Sequence, residues 1–257
     1  MVYCYTKFLL FLFLLFSFFT SNFAQRQIKE FYLSDWFKEK KKWELKGKEA
    51  LVFNKYVEIE DLEAKYFLKN RIIDLKSDKG RIIKPMKEVY LKDNVRVKTS
   101  DGISLFSSSL AWKNNLLFTE DKVELKRDNL KIIAKGLRAE ESLKKVNFQK
   151  EVKVDFYEKN NKIVITCSGP LEIDYKQAKA IFNKDVVVTS EEGRIEADKG
   201  IVYFDKDKKK IIKIVCEGNV KIEREGNISF AKRATYLDKE KKIILEGNPR
   251  LVIFPKQ

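Results

Sequence analysis

A repeated phrase in the second half of the chain constrains its fold more than any other feature. Residues 216–222 (CEGNVKI) are echoed by residues 245–251 (LEGNPRL). Val220 and Pro249 are 29 positions apart, and similar steps separate Val95, Val123 and Val152. A unit this short cannot bury its apolar face alone, so at least about three units must stack around a shared core. The repeat therefore predicts an elongated architecture of stacked units.

The local pattern within the units is that of β-strands. Residues 95–98, 123–126, 152–156 and 220–223 alternate apolar and charged side chains. A period of two gives a strand one dry face and one wet face. Turn-forming residues lie at 99–102, 127–129, 159–161, 191–193 and 225–227. Residues 60–70 show weak helical spacing, but we interpret them as a strand followed by a turn. We predict an all-β fold of antiparallel strands joined by short loops.

The composition excludes several classes of enzyme. The chain of 257 residues is 44% hydrophobic, which suffices for a core, and it contains no histidine. This excludes His-based acid–base catalysis, Ser-His and Cys-His nucleophile pairs and nearly all catalytic zinc sites. A carboxylate glycosidase would need paired acids, and no such pair stands out. We predict no enzymatic activity, no cofactor and no metal site.

The net charge favours anionic partners. Lys and Arg total 53 against 38 Asp and Glu, a formal net charge of +15. A solvated face of Lys and Glu explains most of these charges, but the excess favours phosphates or lipid head groups. No RNA-binding motif, zinc-finger spacing or basic amphipathic helix is present, so we expect no nucleic-acid partner.

The amino-terminal segment carries an export signal. An almost unbroken apolar run covers residues 8–19 after Lys7, and Ala24 is a suitable cleavage residue. Counted as residues 8–24, the run reaches the lower limit for a membrane-spanning helix. We therefore expect residues 1–25 to form a hydrophobic helix that is either a cleaved signal peptide or a membrane anchor. The rest of the chain is expected in one non-cytoplasmic compartment.

The three cysteines leave two alternatives open. Cys4 precedes the apolar run, which does not suit a lipobox, whereas Cys167 and Cys216 occupy similar strand contexts. A disulfide would need their Cα atoms within roughly 7 Å. We favour two buried free thiols that pack as small hydrophobes.

Both halves resemble lipopolysaccharide export proteins. Residues 171–254 resemble the LptA/OstA-like domain through residues 174–186, 192–198, 218–220 and 247–249. Residues 1–156 resemble LptC through the amino-terminal apolar segment and residues 43–50, 94–97, 101–102 and 133–139. The resemblance implies three segments. Residues 1–25 would be a signal peptide or membrane anchor, residues 26–160 an LptC-like β-jellyroll module, and residues 161–257 an LptA/OstA-like β-jellyroll module.

The resemblance also implies a fold and a function. Members of these families form a V-shaped antiparallel β-jellyroll, the β-taco, whose apolar groove holds lipid A acyl chains. Modules join by pairing of edge strands, here expected near residues 43–50 and 247–254. The implied role is to receive lipopolysaccharide from the inner-membrane Lpt ABC transporter. The lipid would pass toward the outer-membrane Lpt translocon or further LptA-like modules. The alternative is a structural or adhesive β-solenoid with a sealed core.

Under this interpretation, the inward alternating positions bind the acyl chains. The predicted lipid-binding residues are Val95, Val97, Leu105, Trp112, Val123, Leu125, Val152, Val154, Val186, Val188, Ile195, Val220, Ile222, Ile228 and Phe230.

Overall fold

The described part of the chain is built from β-strands. The computed structural model describes residues 26–68, 71–84, 86, 88–140, 144–158, 161–205 and 210–254. The all-β prediction is confirmed there, and the strand predicted within residues 60–70 is part of β3, which ends at Leu68. No helix long and apolar enough to cross a membrane occurs in these ranges. The predicted hydrophobic helix of residues 1–25 lies outside them.

The chain divides into two compact units, residues 1–117 and 118–257. The strands of unit 1 are β1 (Arg26–Phe37), β2 (Lys40–Val52), β3 (Tyr56–Leu68), β4 (Arg71–Ile83), β5 (Glu88–Thr99) and β6 (Ile103–Lys113). Strand β7 (Leu116–Arg127) begins at the boundary. Unit 2 continues with β8 (Leu130–Glu140), β9 (Lys145–Glu158), β10 (Asn161–Cys167), β11 (Leu171–Asp174), β12 (Lys179–Ser190), β13 (Gly193–Asp205), β14 (Lys210–Arg224), β15 (Asn227–Leu237), β16 (Lys242–Glu246) and β17 (Arg250–Val252).

Within each unit the described pairings are antiparallel and join strands that are close in sequence. In unit 1 the strands pair in chain order from β1 to β6. In unit 2, β10 and β11 both lie between β9 and β12, so they are two halves of one interrupted strand. Strands β16 and β17 divide their pairing with β15 in the same way. The expected antiparallel arrangement is therefore confirmed.

Several long strands bend in the middle, at residues with a left-handed backbone. Consecutive residues have positive φ at Asp93–Asn94 (63° and 51°), Lys184–Asp185 (65° and 53°) and Gly218–Asn219 (76° and 47°). Asn, Asp and Gly adopt this conformation more readily than other residues. A valine follows each pair, and Val95, Val186 and Val220 are each only 1% exposed. The repeated phrase of the sequence thus encodes the strand bend and the core residue beside it.

Opposite each bend, the inward-facing residues of the partner strand change phase. The register shifts between Lys92 and Val95 on β5, so Val95 pairs with Ser107 but Leu91 pairs with Leu110. Similar shifts occur opposite β12 and β14. Because paired residues share a face of the sheet, inward positions on the partner strand step by three residues at the bend. This step breaks the simple alternation along the strand.

The glycine at one bend provides a test of this geometry. A Cβ on Gly218 would lie 2.2 Å from Asp198 Oδ2, whereas a Cβ on Gly226, which has a similar φ, would meet no atom within 4 Å. We expect Gly226→Ala to lower the free energy of unfolding by about 1–2 kcal/mol through backbone strain alone. Gly218→Ala should cost roughly 1–3 kcal/mol more, because Asp198 must move. Urea denaturation measures both values, and equal losses of unfolding free energy in the two variants would show that the bend tolerates a side chain.

Candidate functional site

The inward face of unit 1 is a continuous apolar surface. Trp43, Leu45, Ile59, Leu62 and Leu91 are buried members of one cluster. Phe31, Leu33, Val52, Ala64, Tyr66, Leu75, Val89, Val97 and Leu117 pack against it and are partly exposed. The face therefore has a sealed part and a part that is accessible to an apolar ligand.

Unit 2 repeats this organisation near its last strands. Ala197, Cys216, Val220, Ile222 and Ala234 form a buried cluster. Ile195, Ile214, Ala231 and Leu245 pack against it while remaining partly exposed. Deeper in the unit, Phe148 and Val123 are 0% exposed. The apolar face is again packed at its base and partly open beside it.

The predicted lipid-binding residues fall into two groups by exposure. Those that are buried are Val95, Leu105, Val123, Val152, Val154, Val186, Val188, Val220 and Ile222. Those that are partly exposed are Val97, Trp112, Leu125, Ile195, Ile228 and Phe230. The buried residues contact other core side chains, so direct contact with a ligand is easiest for the second group.

Two of the fifteen residues lie on the opposite face from the rest, which corrects their predicted inward orientation. Ile222 pairs with Ser229, whereas Phe230 pairs with Lys221 and Ile228 pairs with Glu223. Phe230 and Ile228 therefore share the outer face with these charged residues, and Arg250 lies 5.8 Å from the Phe230 ring centroid. Counting back from the inward-facing Ala234 in steps of two residues would place Phe230 and Ile228 inward. The register shift opposite Gly218–Asn219 makes one of these steps three residues long, so both side chains face outward.

An apolar cleft opens on the inward face near the last strands of unit 2. It has a volume of about 240 Å³ and is lined by the apolar residues Ile222, Ile243, Leu245 and Leu251 and by the polar residues Arg224, Glu225, Asn227 and Ser229. Typical small-molecule pockets measure roughly 300–1,000 Å³. The cleft is therefore a short apolar recess with one polar end and can hold only part of a large lipid.

The outermost strands of each unit expose apolar side chains. On β1, Ile28, Tyr32 and Trp36 are 44%, 50% and 57% exposed, and on β17 Leu251 is 62% exposed. The expected edge at residues 43–50 is wrong, because β2 pairs with β1 on one side and with β3 on the other. Strand β1 lies outside it. The expected edge near residues 247–254 coincides with β17, which pairs with β15.

Sequence reasoning missed β1 and the aromatic groups on its outer face. The Lys41 ammonium lies 5.3 Å from the ring centroid of Trp36 and 5.7 Å from that of Tyr32. It also donates hydrogen bonds to Tyr32 Oη (2.9 Å) and to the Glu44 carboxylate (2.8 Å). The hydrogen bond from Lys41 is the main cause that lowers the pKa of Glu44. The sequence signal was the aromatic residues that flank the lysine-rich segment at residues 38–42.

Buried acidic groups on the strands are held by ion pairs. The Glu88 carboxylate, in a residue 4% exposed, accepts hydrogen bonds from Tyr90 Oη (2.6 Å) and lies 3.0 Å from Lys113 Nζ. These two partners, Tyr90 first, lower the pKa of Glu88. Among the described residues, no group of three or more His, Cys, Asp or Glu side chains is placed to hold a metal ion.

The favoured prediction for two cysteines is confirmed, because Cys167 and Cys216 are buried free thiols. Burial raises the pKa of each to about 11. Since only the thiolate reacts, both should be nearly inert toward iodoacetamide at pH 8 in the folded chain. Urea should expose them, lower their pKa and accelerate labelling by about 100-fold or more. A Cys4→Ser background isolates these two thiols, and rapid labelling of folded protein would contradict their burial.

Comparison with known proteins identifies two families along the chain. Residues 38–158 match the family described as lipopolysaccharide-assembly, LptC-related. Residues 165–256 match the family described as LptA/(LptD N-terminal domain) LPS transport protein. No curated protein matches the chain.

A solved structure with similarity to the chain is that of LptH from Pseudomonas aeruginosa. It is described as the LptA homologous periplasmic component of the conserved lipopolysaccharide transport device. The match has 9% sequence identity and a TM-score of 0.21, and covers 71% of this chain and 95% of LptH. The two family matches support an LptC/LptA-like fusion, with an LptC-related region at residues 38–158 and an LptA/LptD N-terminal-like region at residues 165–256.

Proposed function

We propose that this chain is a periplasmic lipopolysaccharide transport protein that carries lipid A acyl chains along its apolar inward faces. The observation that carries the proposal is the pair of transport-family matches, which together cover most of the described strands. The inward faces support it, because half-buried residues such as Val97 and Ile195 border fully packed clusters. No catalytic group is needed for this role.

The physical basis is non-directional apolar binding. Each CH₂ group removed from water contributes roughly 0.8 kcal/mol, so several acyl chains strongly favour an apolar face over solvent. Such binding has no fixed hydrogen-bond geometry, which lets a lipid move along the face without breaking specific bonds. The partly exposed residues Val97, Trp112, Leu125 and Ile195 are the proposed contacts, and the buried valines form the support behind them.

The two ends of the chain are proposed to have different partners. Strand β1 would pair with the inner-membrane Lpt ABC transporter, which supplies the lipid. Strands β16 and β17 would pair with the outer-membrane Lpt translocon or a further LptA-like module. Exposed edge strands are templates for such pairing. We assign residues 26–160 to the LptC-like module and 161–257 to the LptA-like module, after a cleaved signal peptide or an inner-membrane anchor at residues 8–24.

Co-purification of lipid tests the proposal. The full chain is extracted from cells that make lipopolysaccharide, washed with detergent below the level that strips bound lipid, and assayed for lipid A by mass spectrometry. We expect lipopolysaccharide in near-stoichiometric amount. Protein that is folded but free of lipid A, or that carries phospholipid alone, would contradict the proposed cargo.

A structural β-solenoid is the second candidate, and the packed base of the fold favours it. Val123 and Phe148 are 0% exposed and Val95, Val186 and Val220 are 1% exposed, as expected for a sealed core. In that case the partly exposed residues would be ordinary core margins, and their substitution would alter stability without any effect on lipid binding.

A further inference from the structure

The β1–β2 hairpin carries an aromatic and cationic tip that is separate from the inward faces. We define the tip as residues 36–42, with the sequence WFKEKKK. It contains four lysines and one glutamate beside two aromatic rings. Trp36 and Phe37 are each 57% exposed. Tyr32, 50% exposed, lies next to it on the same strand.

The cations of the tip are placed over the aromatic rings. Lys42 Nζ lies 4.7 Å and Lys38 Nζ 5.6 Å from the Phe37 ring centroid. Lys41 Nζ lies 5.3 Å from that of Trp36. Both rings are more than half exposed, so they still present apolar surface beside these ammonium groups, as aromatic and lysine side chains do at a membrane interface.

Charge at the tip is only partly neutralised within the protein. Lys41 pairs with Glu44 at 2.8 Å and Lys42 lies 3.6 Å from Asp35. For Lys38 and Lys40, no carboxylate of the described residues lies within ion-pair distance. Two exposed rings with uncompensated lysines suit a surface that is apolar below and negatively charged at its margin. An acidic protein would satisfy the lysines, but it would not by itself bury both rings.

We propose that the β1–β2 hairpin tip is a membrane-surface contact, with Trp36 and Phe37 inserted at the head-group level of an anionic phospholipid bilayer and Lys38 and Lys40 on its phosphates. Tryptophan is enriched at membrane–water interfaces, and lysines near an anionic leaflet add attraction that salt screens. Trp36 pairs with Lys41 on the outer side of the hairpin, and Phe37 pairs with Lys40 on the opposite side, so the two rings flank the hairpin end. A membrane contact at this end goes beyond the proposed lipid path.

Fluorescence of Trp36 gives a local readout of this contact. The full chain is mixed with vesicles of phosphatidylcholine alone or with 30 mol% phosphatidylglycerol, each with and without acyl-brominated lipid. We expect bromine quenching on the anionic vesicles, and loss of that quenching in Trp36→Phe. The chain also contains Trp43 and Trp112, so the Trp36 signal is the difference between the unaltered chain and Trp36→Phe. Vesicle attachment through residues 1–25 does not reproduce this difference.

Charge reversal at the tip tests the role of the lysines. The double variant Lys38→Glu/Lys40→Glu should weaken Trp36 quenching on anionic vesicles by about 30-fold or more in midpoint lipid concentration. The matched control is Lys239→Glu/Lys242→Glu, which reverses two exposed lysines around the β15–β16 hairpin and should leave the midpoint unchanged. Circular dichroism checks the fold of each variant.

Three results would overturn the proposal. The first is Trp36 emission that stays water-like and unquenched on vesicles to which the protein is bound. The second is equal quenching on neutral and anionic vesicles. The third is loss of a protein partner in Lys38→Glu/Lys40→Glu with no change on vesicles, which would make the tip a protein-docking site.

Discussion

Replacement of Phe148 by alanine should lower the free energy of unfolding by about 3–5 kcal/mol, the range found for buried aromatic side chains. Phe148 is 0% exposed. It lies on β9 and pairs with Leu137 on β8 and with Leu171 on β11, both of which are also buried. The substitution therefore leaves a cavity between three strands that cannot close without moving their backbones.

Urea denaturation followed by circular dichroism measures this loss. The matched control is Tyr157→Ala, because Tyr157 lies on the same strand but is 46% exposed. It should cost less than about 1 kcal/mol. Similar midpoints for the two variants would mean that the Phe148 ring is not a core element of unit 2.

Glutamate on the inward face should abolish most lipopolysaccharide binding. At Val97 or Ile195, which are half-buried and apolar, a carboxylate would have to lose water beside an acyl chain. Desolvation of an unpaired polar group costs about 1–3 kcal/mol in proteins, and more for a charge. We therefore expect Val97→Glu and Ile195→Glu each to weaken lipopolysaccharide binding by about tenfold or more.

The neighbouring residues serve as controls for these variants. Arg96 and Arg194 are exposed and precede Val97 and Ile195 directly, so they lie on the outer face. Arg96→Glu and Arg194→Glu place the same carboxylate in solvent and should change binding by less than about twofold, since charges on the outer face are screened. Melting temperatures separate lost binding from lost folding. Equal losses of lipopolysaccharide binding in the inward-face and outer-face variants would contradict an inward lipid path.

The strands and their alternation could be predicted because the residues that decide them are local. Val220, Lys221, Ile222 and Glu223 alternate along the chain, and the structure buries Val220 and Ile222 while leaving the charged residues partly exposed. Strand β1 was missed because its apolar residues change phase at Glu30, a residue with φ of 48°. A change of phase hides a strand from any search for strict alternation.

The orientation of residues beyond a bend could not be predicted from alternation alone. The signal was present in the Gly218-Asn219-Val220 phrase, but its effect appears on the partner strand, where Ile228 and Phe230 turn outward. That is a non-local consequence of strand register. In the same way, periodicity separates an inward from an outward valine, but it cannot distinguish contact with lipid from contact with another side chain.

Site-specific photocrosslinking to lipopolysaccharide in living cells tests the central claim most directly. Probes at Val97, Phe156 and Ile195 lie on inward positions of the two units, and probes at Arg96, Tyr157 and Arg194 are their outward neighbours. The transport proposal predicts lipopolysaccharide adducts at the three inward positions and none at the three outward ones. Folded, exported protein without adducts at any inward position would contradict it and support a sealed structural β-solenoid.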